Sequence, residues 1–250
     1  MMRRMVWILG LATLAVGCHH APRPQTVTSP ELELDHAMTL IHRGDFRRAQ
    51  LVLQRLSFEF TPGQPEAVVA RYYLAECFYQ TGDRVQAAHD FRKVADEFPA
   101  SEYAPLALLR AGDANLRLWR RAELDPTYGE TALSIYQELA GRYPDTDAAA
   151  RARPHVQRLQ NQFAEKAYKN GMFYFRRKAY DSAIIYFKDV IATYPDAQLA
   201  PDALLRLVDS YRAIGYKEEL QETCAHLHRY YPQATGLAKS CPADTTATSS

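Results

Sequence analysis

The stretch GDRVQAAHDFRKVADEFP, residues 82–99, decides the fold. Within it Ala87, Phe91, Val94 and Phe98 stand at offsets of four, seven and eleven from the first, and Pro99 closes the run. Each offset falls near a whole number of 3.6-residue turns, so the four side chains share one face of an α-helix. The spacing recurs upstream as Ala49, Leu53, Leu56, Phe60 with Pro62. Downstream it returns as Ala132, Tyr136, Leu139, Tyr143, Pro144, as Ala183, Phe187, Val190, Tyr194, Pro195, and as Leu220, Cys224, Leu227, Tyr231, Pro232. One helix type is used five times.

A turn signal precedes four of the five copies: Gly44-Asp45, Gly82-Asp83, Gly215-Tyr216 and, without glycine, Lys178-Ala179-Tyr180-Asp181. Further upstream each copy carries a second apolar stripe, such as Leu74, Ala75 and Phe78, or Leu204, Leu207, Val208 and Tyr211. Two helices meeting at a small residue, with an aromatic one turn later and a terminal proline, resemble the tetratricopeptide (TPR) repeat. The expected fold is all-α, a TPR-type α-solenoid of about five helical hairpins over residues 32–240. In the third copy the segment Leu118 to Tyr128 lies between the two helical stripes.

Composition fits a folded protein, and a formal net charge of +1 gives no overall bias toward nucleic acid. The basic clusters Arg117, Arg120, Arg121 and Arg176, Arg177, Lys178 read as solvated helix faces. The N-terminus sets the compartment. Arg3-Arg4 precedes an apolar run from Met5 to Val16 that is too short to span a bilayer and reads as a secretory signal, residues 1–17. It ends in Leu14-Ala15-Val16-Gly17-Cys18, which resembles a bacterial lipobox, with the departure that leucine stands at 14 rather than 15. That resemblance implies a diacylglyceryl group and an N-acyl chain, such as palmitate, on Cys18, and several chains together give stable anchoring. His19 in place of Asp implies sorting to the outer membrane. Residues 18–31, dotted with Pro22, Pro24 and Pro30, read as an extended tether. Residues 241–250 read as a disordered Thr/Ser/Ala-rich tail.

An envelope location permits disulfides, and two readings of Cys224 stand open. It pairs with Cys241 if the chain after Pro232 turns back, or it packs inward as a small hydrophobe in the aromatic position of its repeat. Cys77 reads as an unpaired core residue. No catalytic constellation emerges: His-Glu-x-x-His, Cys-x-x-Cys, a Gly-rich phosphate loop and a nucleophile elbow are all missing, and His226 and His228 point apart on one helix. The expectation is a non-enzyme without cofactor or metal. Most tyrosines fall on the repeat frame, but Tyr72, Glu76 and Tyr79 follow at spacings of four and three on the first helix of the second hairpin. They predict an aromatic groove with one acidic group, suited to a peptide. The same face of the first hairpin holds Leu34, Met38 and Ile41, for which inter-repeat packing is an equal reading.

The stretch Arg142-Tyr143-Pro144-Asp145-Thr146, then Ala150-Arg151, Leu159 and Ala164-Glu165, then Tyr174 through Ala183 and Tyr194-Pro195-Asp196, resembles the BamD family of outer-membrane protein assembly lipoproteins. Leu124-Asp125-Pro126-Thr127-Tyr128 adds to the likeness. The resemblance implies a subunit of the β-barrel assembly machinery on the periplasmic face of the outer membrane. It implies that the N-terminal repeats receive unfolded outer-membrane protein substrates and that the C-terminal repeats dock a BamA-like barrel protein. Ile185-Tyr186 stands where proteobacterial relatives tend to place Asn-Arg, which removes a salt-bridged contact there. The alternative is another periplasmic TPR scaffold, a CpoB-like cell-division coordinator or a pilotin.

Overall fold

A computed structural model describes residues 29–119 and 125–242. The described residues form eleven helices: α1 (Pro30–His42), α2 (Phe46–Glu59), α3 (Pro65–Thr81), α4 (Arg84–Glu97), α5 (Tyr103–Leu118), α6 (Thr127–Arg142), α7 (Asp147–Arg176), α8 (Tyr180–Thr193), α9 (Ala200–Ile214), α10 (Lys217–Tyr230) and α11 (Leu237–Ser240). Each helix packs on the next from α1 through α10, making five antiparallel hairpins. The all-α TPR-type solenoid expected from the sequence is the fold observed.

The hairpin turns follow from backbone sterics. Gly44, Gly82 and Gly215 have φ of 77°, 96° and 82°, a left-handed conformation that only glycine adopts at little cost. Lys178 takes the same place in the fourth hairpin with φ of 60°. Asp45 and Asp83 then cap α2 and α4 by accepting from the amides of Arg48 and Gln86. The residues of the repeated spacing face inward: Ala49, Leu53, Leu56, Ala87, Phe91, Ala132, Tyr136, Leu139, Ala183, Phe187, Val190 and Leu227 are buried almost completely.

Odd-numbered helices also touch one another in sequence, α1 to α3, α3 to α5, α5 to α7 and α7 to α9. Helices that approach more closely lie on the inside of a curved stack, so these five form the inner layer and the even-numbered helices the outer one. At 30 residues, about 45 Å, α7 is twice the length of its neighbours. Its first half packs beside Tyr136, and its second half carries the fourth hairpin. Phe163 at its middle stacks on Trp119 at 5.2 Å and on Tyr194 at 6.0 Å, and Tyr194 packs against the cores of both halves.

Two boundaries and one packing expectation differ from the sequence reading. Pro30 and Glu31, read as tether, begin α1, because Ser29 accepts from the Leu32 amide as N-cap and proline suits the first helical position. Cys241, read as tail, is buried and bonded to Cys224. Inward packing of Cys224 as a free hydrophobe is thereby overturned: the residue is half-buried, and its sulfur turns to a partner that the returning chain brings within a Cα–Cα distance of 5.5 Å. Cys77 is buried and free, and burial, helped by Glu76, pushes its thiol up to about 12. The signal segment 1–17, Cys18, most of the tether and the tail from 243 lie outside the described residues.

Candidate functional site

Tyr72, Glu76 and Tyr79 lie on one face of α3, as their spacing predicts, and the neighbouring inner helix α5 closes over them. Arg110 of α5 grips the Glu76 carboxylate at two points, Nε to Oε2 at 2.9 Å and Nη2 to Oε1 at 2.5 Å. Its guanidinium lies 4.0 Å from the Tyr79 ring centroid, a stacked cation that only the planar arginine fork provides. The same arginine reaches Asp113 at 3.4 Å, and Asp113 accepts the Tyr136 hydroxyl at 2.8 Å. Gln80 donates to Glu76 Oε1 at 2.6 Å. A continuous polar chain therefore runs from α3 through α5 to α6.

This network corrects one expectation. The groove lacks a free acidic group, because the charge of Glu76 is matched within the protein, its side chain only 16% exposed and that of Arg110 19%. Glu76 holds two repeats together instead. The arrangement also shows in the electrostatics of its neighbours. Burial, then the charge of Glu76, pushes the Tyr72 hydroxyl up to about 12. Burial, with Asp113 beside it, pushes Tyr136 far above the usual phenol range.

Tyr72 belongs to an aromatic cluster, its ring 5.3 Å from Tyr73, 5.0 Å from Tyr103 and 5.5 Å from Phe91. Tyr73 and Tyr103 are half-buried members that the sequence reading passes over. Met38 is not in this cluster. It stands on α1, half-buried, in the position of Tyr72 one repeat earlier. The two are 34 residues apart, and the same interval separates Glu76 from Arg110, so aligning the inner helices at that period would have revealed the ion pair.

A second surface lies on the fourth hairpin. Arg177 covers the Phe173 ring at 3.5 Å, Phe173 meets Tyr174 edge-on at 5.3 Å, and Tyr174 stacks on Tyr186 at 5.4 Å. Ile185, beside Tyr186, is 68% exposed. Ile185-Tyr186 thus presents an apolar and aromatic face. Among the described residues no group of three or more His, Cys, Asp or Glu is placed to hold a metal, and no helix is long and apolar enough to cross a membrane.

Five helical hairpins curved around an aromatic inner layer define a tetratricopeptide-type repeat protein. Residues 29–227 match the YfiO family, described as outer membrane lipoprotein, and the chain belongs to that family. It is 23% identical over 227 residues to the outer membrane protein assembly factor BamD of Xylella fastidiosa (strain 9a5c), a match covering 85% of this chain and 77% of that one. To the protein of the same name from Vibrio cholerae it is 23% identical, covering 84% and 91%. The Caulobacter vibrioides protein of that name is 33% identical over 108 residues, covering 43% and 35%. Among solved structures, a thermophilic TPR protein of Thermus thermophilus is 20% identical with a TM-score of 0.39, covering 84% of this chain and 96% of that one.

Proposed function

We propose that this protein is a non-catalytic lipoprotein subunit of the machinery that assembles β-barrels in the outer membrane. The observation that carries the reading is the family match, which covers residues 29–227, from the start of α1 into α10. The lipid anchor is Cys18, at the end of the signal-like segment, and it holds the repeats at the periplasmic face. The inner face of the first three hairpins receives unfolded barrel substrates through the aromatic surface of Tyr72, Tyr73, Tyr79 and Tyr103, with Met38 extending it toward the N-terminus. Glu76 supports this face from within by fixing Arg110 under Tyr79. The exposed Ile185 and the Phe173–Tyr174–Tyr186 ladder suit an apolar docking contact with a BamA-like barrel protein.

The deciding experiment is affinity purification of the tagged full chain from detergent-solubilised envelopes. Recovery of a BamA-like barrel protein in stoichiometric amount is expected. Recovery of cell-division or secretin components without it would overturn the reading in favour of another periplasmic scaffold. The anchor has its own test. Cys18→Ala is expected to leave the outer-membrane fraction, and retention of that variant after a high-salt wash would exclude lipid as its attachment.

A further inference from the structure

The chain after the fifth hairpin repeats, for one helical turn among the described residues, the path that begins the third, fourth and fifth hairpins. In the second, third and fourth copies the aromatic before the closing proline accepts a hydrogen bond from the amide three residues on: Ser101 to Phe98, Thr146 to Tyr143 and Ala197 to Tyr194, at 3.0, 3.2 and 3.0 Å. Five residues after the proline a buried residue then enters the next inner helix: Ala104 in α5, Ala149 in α7, Ala200 in α9. The fifth copy does the same. The Ala234 amide donates to the Tyr231 carbonyl at 2.9 Å, and Leu237, five after Pro232, is buried at the start of α11. That helix packs on α9, where a sixth inner helix belongs, but it has four residues.

Burial by one turn is far less than a full helix provides, and three local links make up the difference. Cys224 is joined to Cys241. It occupies the position held earlier by Phe91, Tyr136 and Phe187, side chains large enough to reach the following hairpin, as Tyr136 does in stacking on His155 of α7 at 5.1 Å. Cys241 stands four residues after Leu237, the place of Leu108 in α5 and Leu204 in α9. His228 Nε2 lies 3.0 Å from the Cys241 carbonyl, and the Arg212 guanidinium donates to the Ser240 carbonyl. The bond therefore connects two positions that in the second and fourth copies hold Phe91 and Leu108, and Phe187 and Leu204, each pair within one apolar cluster.

We infer that α11 and Cys241 form a covalent end-stop of the solenoid, the first turn of a sixth hairpin locked onto α9 by the Cys224–Cys241 disulfide instead of by a full helix. Its function is to cover the apolar edge of α9, Leu204 and Leu205 included, because the terminal unit of a repeat stack exposes the face that each inner unit buries. The lock forms where thiols are oxidised. A dithiol reductant opens it: the S–S bond breaks, Cys224 and Cys241 each gain a proton and an electron as thiols, and the reductant closes to its own cyclic disulfide.

Hydrogen exchange followed by mass spectrometry on the full chain in detergent tests the lock, with dithiothreitol as the probe and Cys224→Ser/Cys241→Ser as the second route. The expected result is exchange faster by about tenfold or more at residues 237–241 in both cases, with α9 and α10 still protected. Unchanged protection of 237–241 in both cases would overturn the proposal, leaving Arg212, His228 and packing as the hold. Loss of protection through α9 and α10 would also overturn it, by making the bond a staple of the whole hairpin. Light scattering tests the stop. The released protein is expected to self-associate with rising concentration, and a form released but monomeric throughout would remove the end-stop role.

Discussion

The ring of Phe187 fills the space beside Gly171 that any side chain would need, its Cε1 standing 2.6 Å from where a β-carbon would be. The two residues belong to the two helices of the fourth hairpin, and their contact sets how closely α7 and α8 cross. The same relationship holds between Gly112 and Tyr136, at 2.4 Å, in the third. Small against aromatic is therefore a device of the repeat, with the glycine on the inner helix and the ring on the outer one.

Gly171→Ala is expected to destabilise the protein by about 1–3 kcal/mol, because the helices must separate or Phe187 must leave its rotamer. Gly141→Ala is the control, since nothing lies within 4 Å of its β-position and alanine favours a helix. Thermal unfolding of both variants checks this. A Gly171→Ala protein as stable as the Gly141→Ala one would show that the crossing is loose.

The pair of Glu76 and Arg110 is expected to couple α3 to α5. Both side chains are less than one fifth exposed, so removing one leaves the other poorly solvated. Arg110→Ala should cost about 1–3 kcal/mol. Double-mutant cycles with Glu76→Gln, read by urea unfolding, should give a coupling of about 0.5–3 kcal/mol. Additive single effects would mean that the pair is a surface contact without energetic weight.

Tyr72 predicts an alkaline limb of stability. Its hydroxyl is raised from 10.0 to about 12 in the fold, so between those values the unfolded chain releases a proton that the folded chain keeps. The contribution is fully present below about pH 10 and is lost as the pH rises through about 12. Tyr72→Phe should lose less stability than the parent across that interval in chemical denaturation at stepped pH. Parallel curves for the two proteins would place the phenol in water.

The client reading is tested by changing Tyr72 and Tyr79 together to alanine. Truncating aromatic hot-spot residues commonly exceeds about 2 kcal/mol, so binding of an aromatic-ended peptide from an outer-membrane barrel should weaken at least about tenfold. Fluorescence anisotropy with a labelled peptide measures it, and circular dichroism confirms the fold. Equal affinity in the folded double variant would move the peptide site away from α3.

The repeated spacing of a small residue, an aromatic and a proline was enough to specify the five hairpins, because helical periodicity maps sequence offsets directly onto one buried face. It also put Tyr72, Glu76 and Tyr79 on a common face and marked Lys178 as a turn residue by its place alone. The sequence by itself further yielded the family resemblance that residues 29–227 bear out. What it left open were relations between repeats. Glu76 reads along the chain as the one acidic group of an aromatic groove, and only the approach of α5 makes it half of an ion pair. Cys224 fits a core position as well as a disulfide, and only the return of residues 232–241 along α9 brings Cys241 to it. Local periodicity is written in neighbouring residues, whereas a contact across 17 or 34 positions depends on how whole hairpins stack.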